Sequence, residues 1–410
     1  MSGAPALTVP PPGFLADPGL AAVLAALPEA RVVGGAVRDA LAGCPVADID
    51  LATPRRPEAV SEALRQAGLK AVPTGLDHGT VTAVWGGRGF EVTTLRRDVA
   101  TDGRHAVVAF TEDWREDAAR RDFTINALSM TRTGAVFDYF GGIGDLHAGR
   151  LRFVGNPAER IAEDYLRILR FFRFYARYAR GSPDGGPDPG ALAAIRAAVP
   201  GLARLSAERV WNELGRILAA PDPREATALM ARLGVLAAVI PEGTELQRLA
   251  RLVAAGTPVD PLLRLAALLT GDDRALAERL RLSGAERERL AALRAGPIPH
   301  PQDDDAMLRR LLADTDAPTL INRAWLAEAL SAGLSGSQAT GWSALRHRLA
   351  AMPRPVFPLE GRDVLALGVL PGPRVGALLR EVRAWWLADG CTADAEACRR
   401  ELAARALSHR

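Results

Sequence analysis

The sequence predicts an α+β head, built as a small mixed sheet with helices, followed by an all-α neck and an all-α body or tail. Between residues 31 and 152, short β-like runs such as "TVTAVW" and "FEVTTL" alternate with helical segments such as "PEAVSEALRQAG". After the run "NPAERIAEDYLRILRFFRFYARYAR", the chain is rich in Ala, Leu, Arg and Glu at helical spacing. This change of pattern predicts that the remainder is helical.

Breaks along the chain give the expected domain boundaries. At 410 residues the chain is too long for one ordinary core, so two or three domains are expected. Residues 1–30 are predicted to form a lead and a first helix, which Asp17 caps. The head is expected at 31–152 and a helical neck at 153–220. Residues 221–410 are expected to form the helical body or tail.

Composition indicates a globular protein. Hydrophobic residues make up 48% of the chain and charged residues 24%. The net charge is only +3, although Lys70 is the only lysine among 51 basic residues. A GC-rich genome explains this arginine bias better than selection for phosphate binding does, so composition alone does not indicate a nucleic-acid-binding protein.

Cysteine usage and hydropathy indicate the compartment. Cys44, Cys391 and Cys398 show no C-x-x-C spacing, and their odd number argues against a disulfide framework. The Pro-rich N-terminus lacks the basic flank of a secretory signal, and no apolar run reaches about 18 residues. We therefore expect a cytoplasmic protein without a membrane partner.

Two carboxylates follow a glycine turn in the stretch "VVGGAVRDALAGCPVADIDLAT", residues 32–53. In a strand, residues two apart face the same way, so Asp48 and Asp50 should project together while Ile49 and Leu51 face the core. Two carboxylates held this close repel each other unless a cation lies between them, and Mg²⁺ is a suitable one. The alternative is a pair of solvated aspartates on an edge strand.

The glycine turn itself suggests a phosphate. A strand that runs into Gly34 and Gly35 and then into a helix leaves backbone N–H groups pointing outward, and Arg38 could add a charge. The chain contains neither G-x-x-x-x-G-K-[ST] nor G-x-G-x-x-G, which excludes a P-loop and a Rossmann site. A phosphate cradle followed by D-x-D predicts nucleotidyl transfer by two-metal chemistry.

Two later segments offer further polar candidates. Glu91 lies between two apolar residues of a strand and should face away from them, which makes it a candidate third metal ligand. In "ARRDFTINAL", an Arg such as Arg121 could hold phosphate or ribose hydroxyls, and Asp122 could accept from a sugar hydroxyl. The alternatives are a solvated strand glutamate and a charged helix start.

The segment "ERIAEDYLRILRFFRFYARYAR" places a stripe of arginines on a helix, namely Arg167, Arg170, Arg173, Arg177 and Arg180. Asp164 and Glu163 precede Arg167 by three and four residues, so a carboxylate and a guanidinium can lie side by side. Such a pair matches adenine and cytosine, which present an amino donor beside a ring-nitrogen acceptor, and mismatches guanine and uracil. The alternatives are a solvated face and an ordinary intrahelical ion pair.

Four ordered segments carry a resemblance to a known family: "VVGGAVRDALAGCPVADID", "FEVTTLRRD" with "TDGRHA", "RRDFTINAL" and "AEDYLRILRFFRFYAR". In order and spacing they resemble the bacterial tRNA nucleotidyltransferase (CCA-adding) and poly(A) polymerase family, in the DNA polymerase β-like nucleotidyltransferase superfamily. The resemblance covers residues 30–215 and fades beyond residue 220. It implies that the neck at 153–220 carries a nucleotide-selecting helix, and it makes the helical body or tail at 221–410 a candidate for tRNA binding.

The resemblance implies an enzyme that adds or repairs the 3′-terminal CCA of tRNA from CTP and ATP without a nucleic-acid template, releasing pyrophosphate. It implies two Mg²⁺ ions at the catalytic residues Asp48, Asp50 and Glu91. The nucleotide-binding residues that it implies are Gly34, Gly35 and Arg38 at the triphosphate, Arg121 and Asp122 near the sugar and phosphates, Glu163, Asp164 and Arg167 as the template for C and A, and Asn126 and Arg170 as further candidates.

Two loops bear on the choice within this family. The segment "RDVATDGRHAVV" resembles the flexible loop of members that add the terminal A as well as both Cs. The chain lacks the G-R-R-F run of the poly(A) polymerases and any His-Asp dipeptide of a phosphohydrolase tail. A poly(A) polymerase, an enzyme that adds only CC or only A, and a non-catalytic RNA-binding module stay open as alternatives.

Overall fold

The computed structural model describes residues 3–76, 79–101, 106–179, 186–243, 245–331 and 336–408. It divides the chain into two compact units, Met1–Pro241 and Glu242–Arg410. The division falls later in the chain than the expected boundary between neck and body at residue 220. The boundaries within the first unit stay predictions.

The first unit contains an eight-stranded mixed sheet. Its strands follow the order β1-β10-β9-β2-β3-β6-β5-β4, and all neighbours are antiparallel except β3 and β6. A separate hairpin joins β7 and β8. The strands are β1 Leu7–Thr8, β2 Arg31–Val33, β3 Asp50–Thr53, β4 Lys70–Gly75, β5 Thr80–Trp85, β6 Arg88–Thr94, β7 Arg96–Thr101, β8 Ala106–Phe110, β9 Leu128–Met130 and β10 Ala135–Asp138.

Helices cover the sheet and continue beyond it. The helices of this unit are α1 Pro18–Ala26, α2 Gly35–Leu41, α3 Pro57–Gln66, α4 Trp114–Ala119, α5 Gly142–His147, α6 Pro157–Glu163, α7 Leu166–Tyr178, α8 Pro189–Ala198, α9 Ala207–Leu218, α10 Arg224–Arg232 and α11 Val235–Val239. The predicted cap of α1 is confirmed, because Asp17 accepts a hydrogen bond of 2.9 Å from the backbone N–H of Leu20.

Alternation along the strands separates the core from the opposite face of the sheet. Val32 and Leu51 are buried in one core with the apolar sides of α1 and α3. Asp50, one residue before Leu51, is exposed and lies on the other face. The apolar-in, polar-out pattern read from the sequence therefore places this carboxylate away from the core.

The segment that the sequence predicts as one long helix is interrupted. Asp164 has extended backbone angles (φ −155°, ψ 109°) and separates α6 from α7. The arginines of α7 differ in exposure: the side chains of Arg167 and Arg173 are only 14% and 16% exposed, whereas Arg177 is exposed. Arg180 lies outside the described residues.

The second unit is helical throughout its described part. Its helices are α12 Leu246–Ala254, α13 Pro261–Leu268, α14 Asp273–Arg279, α15 Gly284–Arg294, α16 Asp305–Asp314, α17 Ala317–Leu330, α18 Gly336–Ala351, α19 Gly361–Leu365, α20 Pro373–Ala388 and α21 Ala395–Ser408. Together with the mixed sheet of the first unit, this confirms the predicted fold class. Among the described residues, no helix is both long and apolar enough to cross a membrane.

Candidate active site

The glycine turn after β2 accepts only glycine. Gly34 has a φ of +68°, and its N–H donates to the Leu128 carbonyl at 3.0 Å. A Cβ at this position would lie 2.6 Å from Nη1 of Arg121. The turn is therefore shaped both by its backbone conformation and by a guanidinium that lies directly against it.

The three candidate carboxylates lie on or beside neighbouring strands. Asp50 opens β3, and Asp48 precedes the strand instead of lying in it. Asp50 pairs in parallel register with Glu91 of β6, so these two side chains share the face opposite the core. The expectation that Glu91 faces away from its buried neighbours Phe90 and Val92 agrees with its exposure.

The pKa of Asp50 is shifted by its surroundings. Although Asp50 is exposed, the protein around its carboxyl removes part of its hydration, and this desolvation raises its pKa. Arg121 acts in the opposite direction and the nearby Asp48 raises the pKa further, so the net shift is upward. Two adjacent hard oxygen donors of like charge suit a divalent cation. Among the described residues, no three His, Cys, Asp or Glu side chains are arranged to hold a metal ion. Glu91 as a third ligand thus stays a prediction.

A buried aspartate that sequence reasoning missed holds the two arginines of the "ARRD" segment. Asp117 is 3% exposed and accepts from Nε of Arg120 at 2.8 Å and from Nη2 of Arg121 at 3.4 Å. Arg121 also lies close enough to Asp50 to act on its charge. The signal was available, because Asp117 on α4 precedes Arg120 and Arg121, which directly follow that helix, by three and four residues.

Asp122 is held from several sides. It accepts from the N–H of Phe123 and the amide of Asn126, both at 2.9 Å, and from Nε of Arg170 at 2.7 Å. Burial alone would raise the pKa of Asp122, but Arg170 and these hydrogen bonds hold it below its usual value. Its contact with a sugar hydroxyl stays a prediction.

Arg38 is buried within the same network. Its guanidinium donates to Oδ1 of Asn126 and, at 3.0 and 2.9 Å, to Oδ1 of Asp39. It lies over the rings of Phe174 and Tyr178, 4.9 and 4.5 Å from their centroids. All three guanidinium nitrogens therefore donate within the protein, and the expected contact with the triphosphate stays a prediction.

The structure brings Glu163 and Arg167 together. Nη1 of Arg167 donates to Oε2 of Glu163 and, at 2.6 Å, to the carbonyl of Arg160. Arg160 donates to the same Glu163 oxygen at 2.5 Å and to the Arg121 carbonyl at 2.9 Å. Burial acts to raise the pKa of Glu163, but both arginines lower it below its usual value. One edge of the Arg167 guanidinium is thereby fixed.

Asp164 stands beside this pair but has a different partner. Its Oδ1 accepts from the N–H of Leu166 at 3.1 Å and its Oδ2 from Nη2 of Arg209 at 2.7 Å. The backbone N–H of Arg167 donates to the Asp164 carbonyl at 3.0 Å, which keeps the two residues adjacent. Sequence spacing gave no signal for Arg209, which lies on α9, 45 residues away.

Two family models match this chain. The Poly A polymerase head domain matches residues 30–152. The family described as the probable RNA and SrmB-binding site of polymerase A matches residues 187–246.

Two curated relatives are similar to this chain in sequence, and a solved structure is similar to it in fold. The mitochondrial CCA tRNA nucleotidyltransferase 1 of Homo sapiens is 37% identical over 88% of this chain and 83% of its own length. A CCA-adding enzyme of Streptococcus pyogenes is 41% identical over 49% of this chain and 48% of its own. The crystal structure of the Bacillus stearothermophilus CCA-adding enzyme in complex with CTP superposes with a TM-score of 0.74 at 26% identity, covering 96% of this chain and 99% of that one.

Proposed function

This chain belongs to the CCA tRNA nucleotidyltransferase family of enzymes, and we propose that it adds or repairs the 3′-terminal CCA of tRNA from CTP and ATP. The observation that carries the proposal is the juxtaposition of Asp164 with the Glu163–Arg167 pair. A carboxylate acceptor beside a fixed guanidinium donor is what selection of C and A without a template requires.

Divalent metal use follows from membership of this family of nucleotidyltransferases. We propose Mg²⁺, which Asp48, Asp50 and Glu91 would hold and which, when bound, would neutralise triphosphate charge and activate the attacking hydroxyl. Desolvation contributes most to the raised pKa of Asp50, and repulsion from Asp48 adds to it; this repulsion supports a cation between the two carboxylates.

The protein's own residues orient the nucleotide. Gly34 has no side chain, which lets a triphosphate approach the backbone beside the Arg121 guanidinium. Asp117 holds Arg121 through a hydrogen bond to Nη2 of its guanidinium. The bond that forms joins the RNA 3′ oxygen to the α-phosphorus of the nucleotide, and the bond that breaks releases pyrophosphate.

Base selection is assigned to Asp164 and Arg167. With Nη1 of Arg167 held by Glu163, the other guanidinium nitrogens would donate to the ring nitrogen of C or A. The carboxylate of Asp164 then accepts the exocyclic amino group. Guanine and uracil would bring a donor to Arg167 and an acceptor to Asp164, and both contacts would be repulsive.

The RNA contacts and the compartment are also proposals. The match of residues 187–246 to a probable RNA-binding family supports tRNA contacts there, and the RNA contacts of residues 247–410 rest on the sequence expectation alone. Three free cysteines suit a reducing compartment. The human relative is named as mitochondrial; for this chain we propose the cytoplasm, which cell fractionation would test.

The test is extension of tRNA transcripts that end before, within and after the 3′ CCA, each with CTP, ATP or both, read to single-nucleotide resolution. Asp50→Ala, purified in parallel, controls for a contaminating host enzyme. Two Cs followed by one A and then arrest would support CCA addition. A long A ladder would favour a poly(A) polymerase, which the head-domain match keeps as the second candidate, and extension by CC only or A only would show a partial enzyme. No extension would contradict enzymatic activity.

A further inference from the structure

The helix that carries Arg167 is attached to the helix after the glycine turn at two separate points. Near its start, Arg170 binds Asp122, which binds Asn126, which in turn binds Arg38 of α2. At its last residue, the hydroxyl of Tyr178 donates to Asp39, the neighbour of Arg38 on α2. Both connections therefore converge on the Arg38–Asp39 pair.

Tyr178 makes two distinct contacts at this end. Its hydroxyl shares Oδ1 of Asp39 with the Arg38 guanidinium, and its ring lies 4.5 Å from that guanidinium. Burial and the hydrogen bond to Asp39 raise the pKa of Tyr178 to about 12, although Arg38 opposes the shift. The hydroxyl therefore keeps its proton at neutral pH and remains a donor.

Two hydrogen-bonded connections to α2 fix the orientation of α7 more tightly than one connection does. Arg167 lies eleven residues before Tyr178, which corresponds to about 16 Å along a helix. Without the Tyr178 hydrogen bond, the end of α7 keeps its ring contacts with Arg38 through Phe174 and Tyr178. These ring contacts fix the angle of α7 less tightly than a hydrogen bond does, and a tilt of α7 would move Arg167 relative to the glycine turn. A displacement of about 1 Å at a reacting group can reduce a rate by about a hundredfold.

We propose that Tyr178 is a positioning residue for nucleotide selection: through Asp39 it sets the angle at which α7 presents Arg167 to the base of a nucleotide whose phosphates lie at the glycine turn. The proposal rests on the proposed function and assigns to it a residue that touches neither base nor phosphate.

The chain provides a matched control three residues away. Tyr175 lies on the same helix, and its hydroxyl also donates to a carboxylate, but that carboxylate is Glu225 of α10 and not a residue of the head. Tyr178→Phe and Tyr175→Phe thus delete the same atom and the same type of hydrogen bond. Only the first deletion cuts a connection to α2.

The measurement is kcat/KM for CTP and for UTP on a tRNA lacking CCA, with the free energy of unfolding of each variant. We expect Tyr178→Phe to lower kcat/KM for CTP by about tenfold, the size of a hydrogen bond to a charged group. UTP does not form the selective contacts that depend on the position of Arg167, so its kcat/KM should fall less than that of CTP. The ratio of kcat/KM for CTP to kcat/KM for UTP should therefore decrease. Tyr175→Phe should leave both values within about twofold while losing similar stability.

Equilibrium binding of CTP with Mg²⁺ keeps this test independent of turnover. A selective loss of CTP over UTP affinity in Tyr178→Phe would support the proposal even if the wild-type chain extended no tRNA. An unchanged CTP/UTP ratio, or equal losses in both tyrosine variants, would overturn it. Asp39→Asn adds a second check, because its effect and that of Tyr178→Phe should be non-additive if one connection carries both.

Discussion

Arginine side chains serve different purposes in the two units of this molecule. In Met1–Pro241, the partly buried Arg121 and Arg170 pair with the carboxylates of Asp117 and Asp122. In Glu242–Arg410, several arginines donate to backbone carbonyls at helix ends, although Arg346 pairs with the buried Glu328. Arg323 donates to the carbonyls of Ala292 and Pro297 at 2.8 and 3.1 Å, close to the end of α15.

The same pattern recurs within the second unit. Arg310 donates to the Leu387 and Ala388 carbonyls at 2.7 and 3.0 Å, at the end of α20. Arg294 donates to the Leu269 and Gly271 carbonyls, both at 2.8 Å, just after α13. Such bonds satisfy the carbonyls that a helix leaves unpaired at its C-terminus.

The two kinds of arginine contact have different consequences for ligand binding and for stability. An arginine held by a carboxylate keeps other donors directed by a fixed geometry, which a ligand can use. An arginine that caps a helix has its donors occupied by backbone carbonyls, so they stabilise the fold and do not contact a ligand. Substitutions in the first unit should therefore change catalysis more than stability, and those in the second unit should do the reverse.

The largest expected effect is at the carboxylate pair. Asp50→Ala should lower transfer by about a thousandfold or more, since a metal-centred contact contributes several kcal/mol to the transition state. Its fold should survive because Asp50 is exposed. Glu58→Ala, which removes an exposed carboxylate from α3, is the matched control in a single-nucleotide extension assay. Turnover of Asp50→Ala near that of Glu58→Ala would contradict the metal assignment.

The next effect concerns the choice of base. Arg167→Ala should lower kcat/KM for CTP and ATP by about a hundredfold, because it removes the donor to the base and leaves Glu163 without this partner. Affinity for tRNA, measured by filter binding, should stay unchanged. Arg196→Ala, on the exposed side of α8, controls for loss of positive charge. If Arg167→Ala kept the wild-type preference for CTP and ATP over UTP and GTP, Arg167 would not take part in base selection.

In the second unit, Arg323→Ala should cost about 1–3 kcal/mol of unfolding free energy, because it leaves buried carbonyls without a donor. Arg400→Ala removes an exposed i,i+4 pair with Glu396 and should cost no more than about 0.5 kcal/mol. Urea unfolding measures both. Equal stability of the two variants would contradict the capping role of Arg323.

The smallest effect is on pH dependence. In the unfolded chain Asp122 titrates near its ordinary pKa of about 3.9, whereas in the folded chain its pKa is lower. The pair with Arg170 therefore stabilises the fold above that pH, and this contribution is lost as the pH falls through it. Urea unfolding between about pH 6 and pH 3 should show a shallower decline for Asp122→Asn than for the wild type. Identical slopes would rule out this source of acid sensitivity.

Local patterns predicted those features that local physics determines. Alternation along β3 placed Asp50 opposite Leu51. The positive φ at Gly34 follows from the same glycine turn that the sequence singled out. Both features arise within a few residues, where backbone geometry leaves little choice. The spacing of four residues also predicted the pair of Glu163 with Arg167, but the pair forms across the helix break at Asp164 and not within one helix.

Contacts that depend on tertiary packing were not predictable in this way. Arg209 reaches Asp164, and Arg170 reaches Asp122, across 45 and 48 residues. The helix is interrupted at Asp164 without a Pro or Gly at that point that would have predicted the break. Arg38 was expected to add a charge at the glycine turn, and its burial under α7 depends on aromatic residues far along the chain.

The most direct test of the division between the two units measures activity and stability on the same preparations of Arg167→Ala and Arg323→Ala. Arg167→Ala should lose its preference for CTP over UTP and keep most of its unfolding free energy. Arg323→Ala should lose unfolding free energy and, at a temperature where it remains folded, keep that preference. If both variants lost selectivity and stability in the same proportion, the arginines of the two units would not differ in purpose.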